Sequence, residues 1–168
     1  MGTIDELLAN NGHFADSAPR QDLGARPSRR VVVVACMDCR IDVIAALGLG
    51  DGEAHVLRNA GGVITDDVLR SLAISQHKLG TTEVMLMHHT DCGMTKITDD
   101  GFRGEVQEAT GASPDFPIGS FDDVDASVQQ SILRVRRSEF LLHRDAVRGF
   151  VYDVRTHRLR EVVVEGDE

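Results

Sequence analysis

Tryptophan is absent from this chain, and tyrosine occurs once beside six phenylalanines. So few rings leave little platform for stacking bases. Positive charge is also short: 18 Lys and Arg stand against 27 Asp and Glu, a formal net charge of −9. A phosphate-binding face would have to be built against that field, and basic residues cluster only at Arg29-Arg30 and Arg134-Arg136-Arg137. Nucleic-acid binding is therefore disfavoured. No run approaches the ~18 consecutive apolar residues of a membrane-spanning helix. The first thirty residues carry Asp5, Glu6, Asp16 and Asp22 and lack the apolar core of a secretory signal. A cytoplasmic location is expected. Cysteine is limited to three, an odd number. In a reducing compartment clustered thiols point to metal binding or catalysis more than to disulfides.

What is present suits a globular protein. At 168 residues, with 42% hydrophobic and 27% charged residues, the chain fits one domain over 1–168 that can bury a core without disulfides. Thr3-Ile4-Asp5-Glu6 reads as a capping box, with Thr3 the cap and Glu6 reaching back. The helix it starts fades near His13 to Ser17. Residues 18–30, with Pro19, Gly24 and Pro27, read as an extended linker, so 1–30 form an N-terminal arm. Such a helix needs something to lie on, either the domain's own flank or a partner subunit.

Val31 to Ala35 is a short unbroken apolar run, the pattern of a strand buried on both faces. A helix from Ile41 to Leu47 stops at Gly48, and Ala54 to Leu57 forms a second strand. Thr65 caps a strong helix whose apolar stripe is Val68, Leu69, Leu72, Ala73 and Leu79, ended by Gly80. Glu83 to His88 is another buried-type strand. Residues 98–111 read as helix and 112–121 as loop, and Val124, Val128, Ile132 and Val135 recur at helical spacing. Gly149 to Val154 and Leu159 to Val164 form a terminal hairpin. The expected fold is α/β, a mainly parallel sheet flanked by helices, with an N-terminal helical arm and a C-terminal hairpin. Such sheets bind ligands at the carboxyl ends of their strands.

Two motifs sit at that edge: Cys36-Met37-Asp38-Cys39-Arg40 after the valine strand, and His88-His89-Thr90-Asp91-Cys92-Gly93 after the strand from Glu83. Together they hold every cysteine of the chain. Thiolate and imidazole are preferred zinc ligands. Three readings compete. The first is a catalytic zinc with three protein ligands and an open position. The second is a closed, non-catalytic Cys3His structural site using Cys36, Cys39, His89 and Cys92. The third is a redox pair, Cys36-x-x-Cys39, which leaves the second cluster unexplained. Against the closed site stands the Asp38-x-Arg40 pair. A closed zinc gains nothing from it, whereas an open site needs an acceptor to orient water and a clamp for that acceptor.

Cys-x-Asp-x-Arg followed some fifty residues later by His-x-x-Cys resembles the β-class carbonic anhydrases. Arg58-Asn59-Ala60-Gly61 and His89-Thr90-Asp91-Cys92-Gly93 also look like active-site segments of that family. The likeness is densest over residues 31–97, and is nearest the compact prokaryotic branch, which lacks a long N-terminal extension. It implies a dimer, or a dimer of dimers, with one zinc per chain near the subunit interface, interconverting carbon dioxide and bicarbonate by attack of a zinc-generated hydroxide. Cys36, His89 and Cys92 would be the ligands, and Asp38 with Arg40 the orienting dyad. Asn59, Gly61 and Gly62 would line the substrate pocket. Related sites hydrolyse carbon disulfide or carbonyl sulfide, and pocket shape would separate these activities. Cys39 replaces the small residue usual at its place, and reads as a buried inert thiol turned away from the metal.

The neighbouring residues have plainer readings. His88, beside a ligand on a strand, points to the opposite face, so a core or supporting role outweighs a proton relay. Asp91 reads as a turn former. Gly61 and Gly62 admit substrate or simply turn the chain. Asp99-Asp100 and Asp122-Asp123 start helices. His13, His55, His77, His143 and His157 show no pattern.

Overall fold

A computed structural model of the chain describes residues 2–19 and 22–164. Its centre is β1, Val31–Cys36, in which five consecutive residues are buried. Alternation along a strand sends successive side chains to opposite faces. Val32 and Val34 accordingly join one apolar cluster with Leu72, Val128 and Ile132. Val33 and Ala35 join a second with Ile41, Met87 and Tyr152. Every one of these four strand residues is at most 1% exposed.

Flanking β1 are β2 (Ala54–Asn59) and β3 (Glu83–His89), followed by β4 (Val147–Tyr152) and β5 (Leu159–Val162), in the order β2-β1-β3-β4-β5. The first four are mutually parallel and β5 returns antiparallel to β4, as the α/β reading with a terminal hairpin expects. Pairing puts Ala35 opposite both Arg58 and Met87. The carboxyl ends of β1, β2 and β3 therefore meet at one edge.

The helices begin and end where their caps require. They are α1 (Thr3–Ser17), α2 (Val43–Leu47), α3 (Asp66–Leu79), α4 (Asp99–Thr110) and α5 (Val124–Arg136). The Thr65 hydroxyl accepts the Val68 N–H at 3.3 Å, and Gly80 takes the left-handed conformation beyond α3. Asp66 and Asp67 sit in its first turn, where the helix dipole favours negative charge. Asp123 caps α5 through the Ala126 N–H at 2.8 Å, and Thr98 caps α4 with Asp99 and Asp100 in its first turn. Val128, Ile132 and Val135 are the buried face of α5. Gly149 on β4 lets that helix come close, because a Cβ there would collide with Val128 and Ile132.

One expectation changes and one open alternative is narrowed. The arm helix is capped by Gly2 rather than Thr3, and it is Asp5, not Glu6, that reaches back to the Gly2 N–H at 2.9 Å. Nor does α1 lie on the domain's own flank. It buries no residue, and Ile4, Leu7, Leu8 and Phe14 are 60–74% exposed. The described part of the linker is irregular, with Arg20 and Gln21 outside the described residues. It is tied down late, where the Ser28 and Arg29 N–H groups donate to the Gly52 and Glu53 carbonyls. Among the described residues no helix is long and apolar enough to cross a membrane.

Candidate metal centre

Because β1 and β3 are parallel neighbours, their last residues, Cys36 and His89, come to the same edge from 53 positions apart in sequence. A tight turn then returns Cys92 to them. The turn depends on Asp91 in the left-handed region, φ 53°, a conformation that Asp tolerates better than most side chains. One donor atom from each of Cys36, His89 and Cys92 lies within 4.8 Å of the other two. The three residues are 1–4% exposed.

The histidine's tautomer follows from its neighbour. His89 Nδ1 lies 2.9 Å from the Thr90 carbonyl, an acceptor only, so Nδ1 carries the proton and Nε2 keeps its lone pair. That Nε2 is buried without a hydrogen-bond partner among the described residues, as suits a nitrogen that binds a cation. The thiols are coupled. Contact with Cys92 holds the Cys36 thiol well below the ordinary range, against burial and with help from His89. The same contact, with burial, pushes Cys92 up. One sulfur is thus poised as a thiolate, the form that binds metal. Two sulfurs and an imidazole are a donor set suited to zinc, and three protein donors is the count of a catalytic rather than a closed site.

Cys39 stands outside the cluster. It is exposed, so the expectation of a buried thiol is corrected: its place on the 37–41 loop turns it to the surface. A fourth cysteine-type ligand is therefore not at hand, which removes the basis of the closed Cys3His reading. The C-x-x-C redox reading also weakens, with Cys36 buried and Cys39 exposed.

Asp38 is gripped by Arg40. The Arg40 backbone N–H and Nε both donate to Oδ1 at 2.9 Å, and Nη2 donates to Oδ2 at 2.7 Å. These bonds hold the Asp38 carboxyl far below the usual carboxylate range. Its Oδ2 lies 3.8 Å from His89 Nε2, so the carboxylate stands beside the three donors.

Some supporting contacts escaped the sequence reading. Arg58 Nε donates to the Cys36 carbonyl at 2.9 Å and Nη2 to the Asp38 carbonyl at 2.6 Å, stapling the loop that carries Asp38 and Arg40 to the end of β1. Asp91 does form its turn, and its carboxylate also takes Arg40 Nη1 at 2.9 Å and Lys96 Nζ at 2.7 Å. Lys96 first and Arg40 second pull Asp91 down to about 2. A basic residue following a strand is a weak signal for the first arrangement, and nothing in sequence spacing foretells the second. His88 is fully buried, against Phe121 with ring centroids 5.9 Å apart. Burial lowers it to about 4, so it is a neutral core residue, as the plainer reading expects. Asn59 ties its own turn through Nδ2 to the Val63 carbonyl at 2.8 Å. Gly61 and Gly62, with φ 80° and 71°, form the turn behind Cys36. A Cβ on Gly62 would stand 2.9 Å from the Cys36 nitrogen.

Fold and site together define the class: an α/β protein that presents a buried centre of two cysteine sulfurs and one imidazole, fit for one metal ion, at the carboxyl edge of its sheet. Comparison with known proteins narrows it. A sequence model described as carbonic anhydrase matches residues 31–116. Over 162 residues the chain is 49% identical to β-carbonic anhydrase 1 of Mycobacterium tuberculosis, covering 96% of this chain and 99% of that one. The crystal structure of carbonic anhydrase from Streptococcus mutans superposes with a TM-score of 0.92 at 39% identity, over 97% and 99% of the two chains. A carbon disulfide hydrolase from an Acidianus species is 32% identical over 170 residues, 87% of this chain and 83% of that one. The chain belongs to the β-carbonic anhydrase family.

Proposed function

We propose that Cys36, His89 and Cys92 hold one zinc ion per chain and that this centre carries out the family's reaction, the reversible hydration of carbon dioxide to bicarbonate and a proton. The observation that carries the reading is the buried Cys-His-Cys cluster standing beside a carboxylate already clamped by arginine. Bound there, zinc supplies a water acidified towards a pKa of ~7 and a positive charge for the developing anion.

The chain's own residues do the rest. Asp38, kept ionised, is an acceptor only. It accepts a hydrogen bond from the attacking oxygen and so turns a lone pair of that oxygen towards the carbon of the substrate. Cys36 and Cys92 as thiolates bring two negative charges into the site, and Asp38 adds a third. All three oppose proton loss from the water, so activity should climb with pH and still be rising somewhat above neutrality. Arg40 offsets part of that charge and keeps Asp38 from the donors it adjoins. Asn59, Gly61 and Gly62 line the approach in this reading, although their visible role is to shape the turn behind Cys36.

Carbon dioxide is preferred over carbon disulfide or carbonyl sulfide as substrate because identity is higher to the carbonic anhydrase, 49% against 32%. We place the enzyme in the cytoplasm, where thiols stay reduced. We also infer a homodimer or dimer of dimers in which α1 lies on a second copy, since its apolar side chains find no cover among the described residues of their own chain. Asp38→Asn tests the chemistry. It keeps the size but weakens the acceptor and the clamp, and should retain zinc while losing on the order of 10²-fold in hydration rate. A zinc-loaded variant with near wild-type rate would reduce the dyad to a structural pair.

A further inference from the structure

We propose that Asp91, seated between two of the ligand positions, is a positioning residue of the reaction: with Lys96 it locks the Arg40 guanidinium, and through it Asp38, in register with the donor cluster. The inference rests on the functional reading above and adds a residue to it.

Arg40 and Asp38 lie two positions apart on one loop, whose backbone Arg58 ties to β2, but the grip between their side chains does not by itself fix the pair to β3. Asp91 supplies the missing anchor. It belongs to the turn that leads from His89, the last residue of β3, to Cys92. Its side-chain Oδ2 accepts Arg40 Nη1 at 2.9 Å and its backbone carbonyl accepts Nη2 at 3.0 Å. The guanidinium is thereby held along two edges, one facing Asp38 and one facing Asp91. A planar fork held on two edges can neither rotate nor translate freely. Lys96 Nζ occupies the other oxygen of Asp91 at 2.7 Å, so that carboxylate cannot turn away either. The chain of contacts Lys96–Asp91–Arg40–Asp38 cross-links the end of β1 to the end of β3. Catalytic groups misplaced by about 1 Å can lose ~10²-fold in rate, so an anchor of this kind has a use.

The plainer view makes Asp91 only the left-handed hinge of its turn. Asn separates the two views, because it is as tolerant of that conformation as Asp. Its single carbonyl oxygen can serve Arg40 or Lys96 but not both, and its NH2 then faces the other cation. If Asp91 is a hinge alone, Asp91→Asn should be silent.

The experiment is a double-mutant cycle on the zinc-loaded enzyme, read beside the NMR signals of the Arg40 Nη protons, which are identified by their loss in Arg40→Lys. Asp91→Asn should keep its zinc and its KM for carbon dioxide while kcat falls about fivefold, the upper range for a solvent-exposed ion pair. Placed on Arg40→Ala, the same substitution should change kcat by less than about 1.5-fold, because a residue acting through Arg40 has nothing left to act on. Lys96→Ala should move kcat the same way and by less. The Arg40 Nη protons should be resolved and slow to exchange positions in the parent, and averaged by faster rotation in Asp91→Asn. Equal losses with and without Arg40, or Nη signals unchanged by Asp91→Asn, would overturn the proposal. A parent enzyme without zinc or hydration activity would sink the functional reading instead, and the NMR comparison would still decide this one.

Discussion

Replacing Gly62 by alanine should destabilise the protein far more than the same change at Gly80, although both glycines are left-handed, with φ 71° and 76°. At either site an L side chain in that region costs roughly 1–2 kcal/mol. At Gly80, among the described residues, nothing beyond its own chain neighbours lies within 4 Å of the new methyl, so the conformational cost dominates. At Gly62 the methyl would meet the Cys36 nitrogen at 2.9 Å, the Ala35 carbonyl carbon at 3.1 Å and the Met87 oxygen at 3.3 Å. All three are backbone atoms of paired strands and cannot swing aside as a side-chain tip can. Overpacking of that kind adds about 1–3 kcal/mol. The sum is about 2–5 kcal/mol, or a fall in Tm of roughly 4–20 °C for a chain of this length. Because the crowded nitrogen belongs to Cys36, zinc should also be held less tightly. Thermal unfolding followed by circular dichroism on both variants, with zinc content measured alongside, reads the difference. Equal losses at the two glycines would show that the turn does not press on the ends of β1 and β3.

Deleting residues 1–17 should weaken self-association, since α1 exposes Ile4, Leu7, Leu8 and Phe14; an unchanged sedimentation profile at low protein concentration would argue against an arm on a second copy. His88 is expected to make the protein acid-sensitive. Burial lowers its pKa to about 4 from 6.5, so between those values the unfolded chain binds the extra proton. Stability then rises with pH, and about 3 kcal/mol is lost as pH falls through that window. His88→Leu should flatten that part of the stability–pH curve relative to the parent, and parallel curves would refute the assignment.

Much of the fold is legible because its signals are local. The valine run of β1, the Thr65 cap and Gly80 stop of α3, and the helical spacing from Val124 to Val135 each specify an element without reference to the rest of the chain. Strand ends are less legible. β1 and β3 continue into Cys36 and His89 because the ladder between neighbours, not the apolar run, decides where they stop. The Cys-His-Cys cluster could be expected from two motifs following two buried strands, since parallel neighbours must end at the same edge. The Asp91–Arg40 contact could not, because it depends on the turn geometry that brings positions 51 apart together. The cap of α1 shifted by one residue for a related reason. Asp5 and Glu6 are both able to reach back, and only the backbone conformation at Gly2 selects between them.

The most direct test of the central claim measures zinc and carbon dioxide hydration on the same purified sample, with Cys39→Ser alongside Cys36→Ser, His89→Ala and Cys92→Ser. One zinc per chain and hydration activity in the parent and in Cys39→Ser, with both lost from the other three, is the expected result. An active enzyme free of metal, or zinc released as readily from Cys39→Ser as from the three ligand variants, would contradict a three-ligand catalytic centre.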